Sequence, residues 1–175
     1  ILSDEYEKTG DEQYAGLFDR LIQDWLVSNP PPSRKKYTVI WRALEACLRI
    51  MWVWTVCFFS FLKSKNFTPA SRLLMLAAIP GHAEYIKKYT VKSGNIRVME
   101  LNSLTTIGAI WPQFKNSKQW VKHGIKTLVP EILNEQVYPD GIQKELTNHY
   151  HMVAMKNFEH AANMAIKSGI EVPPK

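Results

Sequence analysis

Two short stretches carry residue types that could do chemistry. Ser93-Gly94-Asn95 opens a helical run, and His149-Tyr150-His151 follows well downstream. An asparagine amide donates hydrogen bonds without titrating, which suits Asn95 to stabilise negative charge developing in a transition state. Tyr150 carries a phenol with an ordinary pKa of about 10. It suits a proton donor to a leaving oxygen, and nearby cations would lower its pKa enough for it to act as a base. His149 and His151 suggest a metal at first, but residues i and i+2 on a helix point about 200° apart. No third ligand sits at a convincing spacing, so neither a metal nor a cofactor is expected. The two histidines fit better as substrate contacts, His151 also as a positive charge favouring a tyrosinate. Taken alone, each candidate has a plain structural reading. Asn95 follows glycine at a helix start, where asparagine commonly caps, and Tyr150 could be a buried tyrosine with a bonded hydroxyl.

Between the two stretches lie the elements that must position them. A helix from Ser93 packs through Val98, Leu101, Leu104, Ile107 and Gly108 and ends at Trp111-Pro112. A longer helix runs from Ser117 to about Glu135 and is kinked at Pro130. Residues 137–145 form a loop around the Pro139-Asp140-Gly141 turn. A last helix, about Tyr150 to Lys167, buries Val153, Phe158, Ala161, Ala162 and Ala165 before Gly169. An antiparallel hairpin returns the chain to the end from which it left, so Asn95 and Tyr150 can share one cleft. Glu100 and Glu145 are expected to tie loops and helices together. Arg97, near Asn95, is a candidate partner for sulfate or carboxylate.

Upstream, residues 1–10 are polar and read as frayed or extended. From Asp11, Tyr14, Leu17, Phe18, Leu21, Ile22 and Trp25 form one apolar stripe at helical spacing. Asn29-Pro30-Pro31-Pro32 stops it, because proline lacks an N–H and disfavours helix in the residue before it. Pro30 to Lys36 is a stiff basic loop. A second helix, about Thr38 to Lys63, has a thirteen-residue, almost continuously apolar stretch from Ile50 to Leu62. That stretch is too short to cross a bilayer and reads as buried on most sides. Trp41, Arg42, Glu45 and Arg49 share one face, with Glu45 and Arg49 at the i, i+4 spacing of an ion pair. Trp41 and Arg42 could line a sugar cleft, since aromatics stack on sugar faces and arginine clamps carboxylate or sulfate. Thr68-Pro69 marks the next helix start. Leu73, Leu74, Leu76 and Ala77 face inward, and Pro80-Gly81 breaks or kinks the run before a short helix from His82, itself a capping or cleft-edge residue.

Helices joined by short turns, with no period-two run longer than four residues, give an all-α fold. The 175 residues make one domain by length. The net charge of +6 is moderate, and is also what a protein handling acidic polymers would carry. Nucleic acid is not expected, for want of a zinc-finger spacing, an RNP-like strand or a dense basic run. Nor is a membrane. The two cysteines, Cys47 and Cys57, lie on one helix about 15 Å apart and cannot pair. The ends, at Ile1 and Lys175, read as those of a fragment.

The ordered set Asn95, Glu100, Asn102, Trp111-Pro112, Gln136, Pro139-Asp140-Gly141, Glu145 and Tyr150-His151 resembles the N-terminal helical domain of heparinase II/III-type polysaccharide lyases, closest to the heparinase III-like branch. The likeness is dense over about residues 93–160 and weaker before. It implies helical hairpins forming part of an incomplete (α/α) toroid, with the remaining helices and a C-terminal β-sandwich supplied by the remainder of the parent chain. It implies cleavage of a uronic-acid glycosaminoglycan, heparan sulfate-like, by β-elimination, with Asn95 neutralising the uronate carboxylate and Tyr150 as general acid and base. A further catalytic histidine of the family lies beyond Lys175. A periplasmic or secreted location also follows from the resemblance. Two other readings stay open: a non-catalytic helical carbohydrate-binding or interaction module that keeps the lyase fold, and a helical repeat domain whose tryptophans line an exposed peptide groove.

Overall fold

A computed structural model describes residues 2–34 and 38–174. The end of the expected basic loop, Lys35 and Lys36, lies outside them, as does Tyr37. Helix α1 (Leu2–Thr9) precedes α2 (Glu12–Ser28). Helix α3 (Ala43–Leu48) continues through a π-helical stretch (Arg49–Trp54) into α4 (Thr55–Ser60). Helix α5 spans Pro69–Tyr89 and α6 spans Gly94–Ile110. Helix α7 (Ser117–Thr127) continues through a second π-helical stretch (Leu128–Leu133) into α8 (Asn134–Gln136), and α9 spans Asn148–Lys167. Among the described residues the only extended pairing is an isolated bridge between Val137 and Gln143.

Residues 2–9 are helical, not frayed. Leu2 and Tyr6 pack on the core, Tyr6 meeting Phe61 edge-on at 5.1 Å, and the Glu7 carboxylate accepts from Ser60. In α2 the stripe is narrower than its spacing suggests. Phe18 and Ile22 are buried with Ala15, whereas Leu17 and Leu21 face outward.

Helix α5 runs unbroken through Pro80. Proline there removes one backbone donor without ending the helix. The neighbouring Gly81 has a packing role instead, since a Cβ on it would lie 2.7 Å from Pro31 Cγ of the proline loop. Its inward face is Ser71, Met75, Ala78, Ile79, His82 and Ile86, and the expected inward residues Leu73 and Leu74 turn outward. Thr68 caps the helix as expected, accepting from Ser71 N–H.

The long apolar helix is buried on one side only. Ile50, Met51, Trp54, Cys57 and Phe58 join the core, while Trp52, Val53, Val56 and Phe59 are exposed. Counted from Ala43 to Ser60 it reaches 18 residues with a mean hydropathy of 1.4, long and apolar enough by those measures to cross a bilayer, and half of it is buried. Both cysteines are free and buried, and burial pushes the Cys47 thiol up to about 12.

Two cores meet along α6. One gathers α2, the apolar helix, α5 and the far half of α6. The other joins Val98 and Leu101 of α6 to Val121, Ile125, Leu128, Ile132, Ala161 and Ala165. Helices α6 and α7 form a tight antiparallel hairpin. A Cβ on Gly124 would lie 2.2 Å from Thr105 Oγ1, and one on Gly108 2.4 Å from the Ser117 carbonyl. Helix α9 then runs parallel to α6, in the register fixed by Asn102–Asn157 and Thr106–His160 hydrogen bonds.

Candidate active site

The parallel course of α6 and α9 sets both N-termini at one end of the bundle, and the residue 137–147 connection lies there. Its turn follows from its residues. Gly141 takes φ +91, its N–H donates to the Tyr138 carbonyl, and Asp140 Oδ1 accepts from Ile142 N–H. Thr147 caps α9 by accepting from Tyr150 N–H. Between them, Gln143 is buried, donates Nε2 to Gln136 Oε1 at 3.3 Å and accepts from Glu145 N–H at 2.9 Å.

Asn95 sits in the first turn of α6. Its Nδ2 lies 2.8 and 2.7 Å from the two carboxylate oxygens of Glu145, and its backbone N–H donates to the same group at 3.1 Å. Asn95 is therefore not the helix cap. Ser93 makes no side-chain cap bond either, and Glu145 takes that role from fifty residues away. Gly94 permits the approach with φ +81.

Tyr150 is 44% exposed and its hydroxyl bonds to nothing within the described chain, so it is not the buried, bonded tyrosine of the structural reading. The His149 ring meets it edge-on at 5.3 Å and is exposed. His151 points the other way, accepting through Nδ1 from Gln143 N–H at 3.4 Å. It lines an apolar hollow of about 370 Å³ with Leu133, Val137, Ala154 and Phe158. Glu100 ties α6 to the preceding loop, accepting from Thr90 and from Val91 N–H.

Three expected contacts are placed elsewhere. Trp41 is 3% exposed, its ring 4.7 Å from His82 and 5.1 Å from Tyr85, so no face is open to a sugar. Arg42 is exposed but gives its guanidinium to Glu45. That leaves Arg49 without the expected partner. It lies over Trp25 at 4.3 Å and between Trp41 and Trp54, and donates to His82 Nε2 at 3.1 Å. Burial lowers its pKa to about 10, opposed by the Glu45 charge. Burial and Arg49 together push His82 down to about 3. It is a fully buried core histidine, not a cap or cleft edge. Arg97 turns back to the Lys92 carbonyl, with Glu131 4.0 Å away. Residues i and i+2 face different sides of a helix, so its turning away from Asn95 follows from their spacing.

Sequence reasoning missed His160. Asn157 Nδ2 donates to the Val153 carbonyl, so its Oδ1 accepts from Asn102 Nδ2, and Asn102 Oδ1 accepts from His160 Nδ1–H at 2.9 Å. This chain fixes the tautomer and leaves Nε2 as the acceptor, with the ring tilted over the exposed Trp52 at 5.9 Å. Burial lowers the His160 pKa. Asn102 in the ordered pattern was the available signal.

Residues 2–173 match the family described as heparinase II/III N-terminus. A heparin-sulfate lyase of Bacteroides thetaiotaomicron is 32% identical over 91% of this chain and 23% of its own length. One from Pedobacter heparinus is 34% identical over 95% of this chain and 25% of its own. A crystal structure of heparinase III superposes with a TM-score of 0.88 at 29% identity, covering 97% of this chain and 26% of that one. The heparan sulfate lyase structure from Pedobacter heparinus gives 0.81 at 32% identity, covering 97% of this chain and 26% of that one. The chain thus spans about a quarter of the relatives it matches, and its hairpins are part of an (α/α) toroid. With a match over almost its whole length, the chain belongs to the heparinase II/III N-terminal family.

Proposed function

We propose that the chain is the helical part of a polysaccharide lyase that cuts a uronic-acid glycosaminoglycan by β-elimination. The observation that carries this reading is the placement of Asn95 and Tyr150 at the same end of two parallel helices, with the Tyr150 hydroxyl unused by packing. In the elimination, the C5 proton leaves to a base and its electron pair forms the C4–C5 double bond. The C4–O bond breaks, and the leaving oxygen takes a proton. The obstacle is the weak acidity of C5–H beside an anionic carboxylate. A donor held where that charge develops contributes about 10²–10³ in rate, and Asn95 is assigned this part. Tyr150 is assigned proton transfer, with His149 against its ring edge. The heparin-sulfate lyases among the relatives make a sulfated uronate polymer the first substrate to test. A periplasmic or secreted location accords with an extracellular polymer.

Binding of uronate oligosaccharides, followed by calorimetry, tests the assigned cleft. Wild type binds measurably more tightly than an Asn95→Ala, Tyr150→Phe double variant. Equal affinities would place the substrate elsewhere. The groove-type peptide-binding reading is disfavoured, because Trp41, Trp54, Trp111 and Trp120 are buried, Trp25 is partly buried against the core, and only Trp52 is exposed.

A further inference from the structure

We infer that Glu145 is the positioning residue of this site: it locks the Asn95 carboxamide so that an N–H, and not a freely flipping amide, is offered to the substrate carboxylate. The inference rests on the lyase reading. It starts from an asymmetry in hydrogen-bond chemistry. An ionised carboxylate only accepts, so the Asn95 atom facing Glu145 must be the amide nitrogen. Nδ2 is nearly equidistant from the two oxygens, at 2.8 and 2.7 Å. The oxygens of one carboxylate subtend a much narrower angle at Nδ2 than its two diverging N–H bonds do. One N–H is therefore shared between the oxygens, and the second N–H and Oδ1 remain unbonded within the chain.

Glu145 is itself held on three sides. Its carboxylate also caps α6 through Asn95 N–H, its own N–H donates to buried Gln143, and the next residue, Leu146, sits at φ 55. That left-handed conformation is unfavourable for a leucine. It lets the chain aim Glu145 at α6 and still begin α9 at Thr147. Leu146 is exposed, so no packing of its side chain accounts for the strain. The same short segment that aims Glu145 at Asn95 therefore fixes where Tyr150 starts its helix.

Two readouts test this. In the ¹⁵N spectrum of the chain, one of the two Asn95 side-chain amide protons is shifted downfield and slow to exchange, and the pair moves together in Glu145→Ala. In the full-length protein, Glu145→Ala lowers kcat about 10- to 100-fold, the worth of one charge-assisted hydrogen bond, with KM within about twofold. Glu145→Gln, which keeps one acceptor oxygen, recovers part of the loss. Unchanged Asn95 protons in Glu145→Ala, or an unchanged kcat in an active parent, overturns the inference. A loss in KM alone also overturns it. An inactive parent whose Asn95 protons still respond to Glu145→Ala sinks the lyase reading and leaves the contact upheld.

Discussion

At the residue scale, the pattern Gln136 to His151 is mostly scaffolding for two side chains. Gly141 and Asp140 make the turn, Gln136 and Gln143 brace it, Glu145 holds Asn95, and Thr147 starts the helix that carries Tyr150. The pattern was legible because each of these tasks demands one residue type. Arg49 and Trp41 were misread because spacing on one face does not say whether that face is wet. The inward-facing guanidinium took an aromatic cage over the carboxylate that its spacing offered. His82 gives a prediction here. Its proton is lost in the folded state down to about 3, against about 6.5 when unfolded. On acidification the unfolded chain binds that proton first. Stability is full above about pH 6.5 and falls by about 1.4 kcal/mol per pH unit below it. In thermal melts, His82→Gln flattens this slope between pH 6.5 and 4, whatever it does to the melting temperature at pH 8. Parallel slopes for the two proteins would contradict the buried, neutral histidine.

At the element scale, the close hairpin of α6 and α7 keeps Asn95 in register with the loop that returns to it. Gly124 allows that closeness, with Leu101 O and Thr105 on either side of the absent Cβ. Gly124→Ala forces the helices apart and costs about 1–3 kcal/mol, the usual range for overpacking, read as a lower denaturant midpoint at unchanged slope. A neutral Gly124→Ala would mean that the hairpin has slack the contacts do not suggest. Helix existence was well marked in the sequence, while helix phase was not. Leu73 and Leu74 read as inward because they are apolar, but the buried face of α5 is the one carrying Ser71, Met75, Ala78 and Ile79. The two π-helical stretches, Arg49–Trp54 and Leu128–Leu133, each hold one extra residue per turn and shift the phase beyond them. The apolar helix read as buried on most sides because its run is almost all apolar, and apolarity does not say which flank stays open.

At the scale of the molecule, all-α architecture followed from helical periods and short turns. The parallel course of α6 and α9 follows from the helical hairpin between them, whereas their register, set by the Asn102–Asn157 and Thr106–His160 hydrogen bonds, was not legible in the sequence. The stripe Trp52, Val56 and Phe59 lies on the outside of the chain's most apolar helix, and relatives are about four times longer. Catalytic groups act as a unit, and losing one member removes most of the rate. Turnover by these 175 residues alone is accordingly expected to be negligible beside that of the full-length protein. The most direct measurement follows from this: absorbance of a 4,5-unsaturated uronate, recorded with the full-length protein on heparan sulfate, heparin, hyaluronan, chondroitin sulfate and alginate. A rise on at least one polymer, abolished by Tyr150→Phe, is the expected result. A rise that survives Tyr150→Phe undiminished would contradict the assigned chemistry, and no rise on any of the five would contradict the lyase reading.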